Sequence, residues 1–181
     1  PAMPFRFDKL TTKAQSLVAE AQAQATSNGN PEISPLHLIA AMLEESDGIT
    51  RPLLEKMSVD AGRLKQLADS EIGRLPAASG GRQAGVSPSL QQVFESAASS
   101  AESLKDEYVS TEHLLLGLAS VDSKAKNLLK MLGVEQNDVL KAMSEVRGSA
   151  RVTDQNAEDT YQPLELSGIA LTKLDGDTRG G

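Results

Sequence analysis

A chain of 181 residues with 39% hydrophobic and 24% charged side chains has the make-up of one globular domain plus an appended segment. Aromatic residues are only 3% and Trp is absent, so the core must be built from Leu, Ile, Val, Met and Ala, which suits helix-on-helix packing better than sheets. The net charge of −7 repels phosphate backbones and excludes nucleic acid as a partner; the lack of cysteine excludes disulfides and thiolate chemistry; and no apolar run is long enough to cross a bilayer.

Residues 1–4, opening Pro1-Ala2-Met3, read as a cloning scar ahead of a native start. No signal peptide is visible, and the expected address is cytoplasmic. Ala14, Leu17, Val18, Ala21 and Ala25 then fall on one helical face, which predicts a helix over 12–27 with Thr11 as its N-cap. Further helices are predicted over 35–45, started by Ser34-Pro35, and over 51–57 and 60–73. The Gly-rich stretch from Ala78 to Gly85 marks a linker over 77–86.

Beyond the linker the pattern starts again. Leu90, Val93, Phe94, Ala97 and Ala101 each lie 76 positions after a member of the first stripe. Ile33-Ser34-Pro35-Leu36-His37-Leu38 matches Val109-Ser110-Thr111-Glu112-His113-Leu114 at the same offset. Farther on the offset is 75: Leu53-Leu54 matches Leu128-Leu129, and Leu64 matches Val139. The second set of helices is therefore predicted over 88–104, with Ser87 as N-cap and Pro88 in the first turn, and over 111–119, 123–132 and 136–147. The reading is an all-α fold of two tandem four-helix repeats, 5–76 and 87–148, related by a pseudo-twofold axis, with a groove where they meet and an extended tail after them. Gly148 to Gln162 is polar without an apolar stripe, so 149–162 is read as a flexible linker, and 163–181 as a foreign or truncated tail.

Catalytic chemistry is not expected. His37 and His113 are repeat equivalents at helix starts, which marks them as structural, and no further His or Cys could complete a metal site. The carboxylates are scattered over helix surfaces, and no strand–turn–helix nucleophile motif is present.

The motifs Phe5-Arg6-Phe7-Asp8-Lys9-Leu10-Thr11, Pro35-Leu36-His37-Leu38, Ser110-Thr111-Glu112-His113-Leu114-Leu115-Leu116-Gly117-Leu118, Val146-Arg147-Gly148 and Asp154-Gln155-Asn156-Ala157-Glu158-Asp159 occur in an order that resembles the amino-terminal domain of Clp/Hsp100 disaggregases of the ClpB type. The resemblance spans about Phe5 to Gln162. It implies a mobile, non-enzymatic substrate-binding module that recognises exposed hydrophobic segments of unfolded or aggregated polypeptides. The alternative is an adaptor-docking or regulatory domain for folded partners. It further implies that Thr11, Asp106 and Glu112 handle substrate. By their place on the first helix of the second unit and just before its second helix, Leu90, Phe94, Tyr108 and Val109 are read as the apolar part of the groove. No cofactor is expected in this chain. In the family, ATP and hexamer formation belong to separate ATPase modules, so an isolated domain is expected to be a monomer. The last residues, Leu166 to Gly181, resemble the guanine-specificity segment of the signal recognition particle GTPase through Thr172-Lys173-Leu174-Asp175. A phosphate-cradling Gly-rich loop is missing, so GTP binding through Lys173 and Asp175 alone would be very weak. The apolar residues of 163–181 are expected instead to dock in the groove of the same or a neighbouring molecule as a pseudo-substrate.

Overall fold

The Thr11 hydroxyl accepts a hydrogen bond from the backbone N–H of Ala14 and starts helix α1, Thr12–Ser27. Ser34, Asp60, Ser87 and Ser123 cap later helices in the same way. The computed structural model describes residues 5–78, 82–148 and 150–158. After α1 come the short strand β1 (Glu32–Ile33) and helices α2 (Pro35–Glu44), α3 (Thr50–Lys56) and α4 (Ala61–Ile72). The second set is β2 (Gly85–Val86), α5 (Pro88–Ser103), α6 (Thr111–Ser120), α7 (Lys124–Met131) and α8 (Gln136–Arg147). Each predicted helix is present, with ends within a residue or two of those expected. Among the described residues no helix is long and apolar enough to cross a membrane.

Helices α2 and α6 form the centre. Residues Pro35 to Leu43 of α2 and Thr111 to Ala119 of α6 are all buried. A helix apolar on every side needs neighbours on every side. In the first repeat α2 packs on α1 and α4; in the second, α6 packs on α5, α7 and α8.

The repeats interlock rather than sit side by side. Helix α3 also packs on α8 and α6 of the second repeat, and α7 packs on α4 and α2 of the first. The short extended segments cross in the same sense. β1 and β2 pair in parallel, Ile33 opposite Val86, and Leu10 forms a parallel bridge with Val109. At the 76-residue offset, Leu10 is the equivalent of Val86 and Val109 of Ile33, so the two pairings are one interaction used twice. Pairs this short carry no alternation of polar and apolar residues, so no periodicity in the chain announces them.

Two features depart from expectation. Phe7–Lys9 is a single 3-10 turn. Residues 150–158, read from composition as part of a flexible linker, lie against the domain: Val152, Ala157 and Glu158 are buried, and the Gln155 carbonyl accepts from the Thr12 N–H at 2.8 Å. Backbone hydrogen bonds hold this segment, so a search for an apolar stripe misses it. The expected docking of 163–181 falls outside the described residues.

Helices α5 and α6 approach closely at Gly117, where an added Cβ would sit 2.7 Å from the Val93 carbonyl oxygen. In α2 the equivalent residue is Ala41, so the first repeat leaves room for the methyl group. Gly117→Ala is expected to destabilise the fold by about 1–3 kcal/mol, read as a lower urea midpoint with an unchanged slope.

Candidate functional site

The site grows from a turn that each repeat makes once. Helix α1 ends with Gly29 at φ 78, which lets the Asn30 N–H reach back to the Ala25 carbonyl. Helix α5 ends alike, with Lys105 at φ 65 and the Asp106 N–H on the Ala101 carbonyl. These turns aim Asn30 and Asp106 at the two histidines. The Ser34 N–H donates to His37 Nδ1 at 2.9 Å, so the ring proton is on Nε2, which donates to Asn30 Oδ1 at 2.9 Å. In the second repeat the Ser110 N–H donates to His113 Nδ1, and Nε2 donates to Asp106 Oδ2 at 2.7 Å. Burial holds His37 below the ordinary histidine range.

The repeats then diverge. Where the first has the neutral Asn30, the second has the carboxylate of Asp106, and charge recruits charge. Arg147, at the end of α8, donates from Nη2 to Asp106 Oδ1 at 2.6 Å and lies with Nη1 3.3 Å from Glu112 Oε2. The Val152 N–H completes the shell of Asp106 at 2.8 Å. Burial opposes ionisation of Asp106, but the bonds from His113, Arg147 and Val152 outweigh it and hold this carboxyl well below the usual range. In the first repeat the equivalents of Glu112 and Arg147 are Leu36 and Ile72, both buried. Where the second repeat has an ion pair, the first has two buried apolar residues.

A fourth charge closes the cluster. Glu158 accepts from the Thr11 hydroxyl, and from the Thr111 N–H at 3.3 Å. It therefore sits at the N-termini of both α1 and α6. Burial and the neighbouring Glu112 push its carboxyl up to about 7.

Thr11, Asp106 and Glu112, the three polar residues singled out in the sequence, are therefore brought together, but behind the surface: Thr11 and Glu112 are fully buried and the Asp106 side chain is enclosed. Asp106 still reaches one cleft of about 440 Å³, lined also by Tyr108, Val109, Lys9, Ala98 and Glu102. Leu90 and Phe94 are separate from it, as core residues. Arg147 and Glu158 were missed as site residues. The signal for Arg147 was available: it is a charge at a position where the other repeat is apolar.

A second cleft, of about 540 Å³, runs along α1 and is lined by the apolar Phe7, Leu10, Val18, Ala19, Ile33 and Val86, with Asp8, Gln15 and Gln22 beside them. Its counterpart on α5 is filled. Phe94, the equivalent of Val18, is stacked by Phe5 at 5.2 Å between centroids and met edge-on by Phe7 at 5.4 Å. By the same offset the residues that would cover Val18 are Gly81 and Gln83, which have no ring. Among the described residues the cleft on α1 is open, and the second repeat has no phenylalanine at those two sequence positions. Phe7 is 42% exposed at its edge.

The family model described as Clp repeat (R) N-terminal domain matches residues 9–132. The chaperone protein ClpB of Rhodopirellula baltica is 66% identical over 95% of this chain, and the chain spans 20% of that protein's length. A match of that extent runs into 163–181, and the reading of these residues as a signal recognition particle GTPase segment finds no support. Among solved structures, the Hsp104 N-terminal domain from Candida albicans has a TM-score of 0.73 at 23% identity, covering 82% of this chain and 98% of that one. The ClpV N-domain in complex with a VipB peptide has a TM-score of 0.62 at 15% identity, covering 80% and 94%. These two likenesses concern the fold.

Arg147→Ala leaves two carboxylates buried without their common partner and is expected to cost about 3–5 kcal/mol in urea unfolding. Replacing the whole set by its first-repeat equivalents, Asp106→Asn with Glu112→Leu and Arg147→Ile, is expected to recover most of that loss. The folded-state value of Asp106 lies below its ordinary one. Its stabilisation is therefore essentially complete above about pH 4 and is lost progressively as pH falls from there toward the lower folded-state value, so Asp106→Asn should flatten the stability profile below about pH 4.

Proposed function

The chain belongs to the Clp N-terminal repeat domain family, and we propose from this that it is the substrate-binding domain of an ATP-dependent disaggregase chaperone, taking exposed hydrophobic segments of unfolded or aggregated polypeptides into the cleft along α1. The observation that carries this reading is the pair of equivalent places on α1 and α5. One is filled by two of the chain's own phenylalanines; the other is open. What fills the first is a guide to what fits the second: an extended apolar segment with a ring-bearing side chain. Apolar contact without buried hydrogen bonds gives weak and sequence-tolerant binding, which suits a module that passes clients on. ATP use and hexamer formation are assigned to modules outside this chain, and client unfolding draws its energy from them. The Asp106, Tyr108 and Val109 cleft lies across the Leu10–Val109 bridge and would contact a client that extends past α1.

A second reading has its own support. The ClpV N-domain, similar in fold, is known in complex with a peptide of VipB. A cleft of this kind could equally serve to dock one chosen partner as an adaptor.

Fluorescence anisotropy with a labelled, unfolded, Phe-containing peptide tests the first reading against the second. Saturable binding is expected, about five- to tenfold weaker for Val18→Ser and abolished when Gln83→Phe supplies a ring from within. An absence of binding by any unfolded peptide, with binding of a folded partner intact, would favour docking.

A further inference from the structure

Residues 150–158 are fastened at a series of points between the end of α8 and the start of α1. Val152, fully buried, gives its N–H to Asp106 Oδ1, and its carbonyl accepts from the Glu107 N–H at 2.7 Å. The Gln155 carbonyl accepts from the Thr12 N–H, and its side-chain amide donates to the Asp8 carbonyl at 3.0 Å. Asn156 Oδ1 accepts from the Thr12 hydroxyl at 3.0 Å. Glu158 ends the series between Thr11 and Thr111.

We propose that Glu158 is the key of an intramolecular dock that holds the 150–158 arm across both repeats, and that Thr11, Asp106 and Glu112 are its receptor. In this role they are positioning residues: Thr11 holds the key, Asp106 holds the arm's middle, and Glu112 sets the charge that the key must face. The side chains of all three are enclosed when the arm is docked, so they hold the arm, and a client in the adjoining cleft would meet Tyr108 and Val109 instead.

The key faces a group of ionisable side chains. Glu112 from α6 is its nearest carboxylate; Arg147 from α8 stands on Glu112, and Asp106 with His113 stands beyond Arg147. A neutral Glu158 keeps both of its contacts with the two threonines. An ionised one keeps them while buried beside Glu112, which repels it. The docked state therefore favours the protonated form. Its folded value stands above the ordinary carboxyl value, so docking is strongest below about pH 4.5 and weakens as pH rises toward about 7.

The test uses the whole 181-residue chain and amide hydrogen exchange, corrected for intrinsic rates, at Thr12, Glu107, Thr111 and Val152 between pH 5 and pH 8. Amides inside α2 report whether the domain itself stays folded. Protection at the four dock amides is expected to fall by about tenfold or more across that range in the wild type. In Glu158→Gln, which keeps the shape and removes the charge, protection should be high and nearly independent of pH. In Thr11→Ala the arm amides should exchange faster at every pH while α2 stays protected, and trypsin should cut sooner after Arg151. A pH-independent wild type, a Glu158→Gln profile that tracks the wild type, or arm protection untouched by Thr11→Ala would each overturn the proposal. No client peptide enters these readouts, so the dock and the client cleft stand or fall separately.

Discussion

A carboxylate enclosed by protein must be met by donors on nearly every side, and at Asp106 that requirement gathers four parts of the chain. The turn after α5 brings the carboxylate, α6 brings His113, α8 ends at Arg147, and the arm returns to give the Val152 N–H. None of these could move without leaving a charge unmatched. Arg147 extends the arrangement to Glu112, and Glu112 in turn colours the surroundings of Glu158. The first repeat shows what the same frame looks like without the charge. There Asn30 and His37 make the same contact, and Asn30 donates its side-chain N–H to the Pro76 carbonyl at 2.9 Å, so the chain after α4 also returns to this residue. The return is a property of the repeat; the ionic network is the addition of the second copy.

The two copies differ in a second way that bears on function. Phe5 and Phe7 cover Phe94, and nothing equivalent in type precedes α5. The two repeats present similar places on α1 and α5, and their unlike lead-in segments fill one and leave the other open among the described residues. The asymmetry is thus one of neutral against charged residues at the buried cluster and of covered against uncovered residues at the clefts.

The helical frame was legible because its signals are local. A stripe at 3.6-residue spacing, a Ser or Thr cap and a Pro in the first turn together locate a helix end closely. The offset between Leu17 and Val93, or His37 and His113, was equally plain. The site was legible only as a set of names. Thr11, Asp106 and Glu112 were picked by resemblance, and nothing in a single repeat says that a polar residue at the start of a helix will be buried. Comparing the repeats says more: Leu36 against Glu112 and Ile72 against Arg147 put two opposite charges at two core positions, and such charges fold only as partners. Leu90 and Phe94 had the pattern of a groove wall and became core because Phe5 and Phe7, distant in sequence, lie over that face. The arm hid for a different reason. It is held by backbone groups and one carboxyl, and hydropathy does not record either.

The crossing of α3 and α7 has a consequence for how such a molecule could exist at half its length. Each third helix completes the core of the other repeat, and each extended segment pairs with the other's strand. A single unit of this kind would therefore leave α3 without its main partner and β1 without its mate. Two identical units would supply each other's missing parts around a true twofold axis, in a self-complementary contact. The present chain has the geometry of such a symmetric dimer joined end to end, and once joined, its halves were free to become unlike.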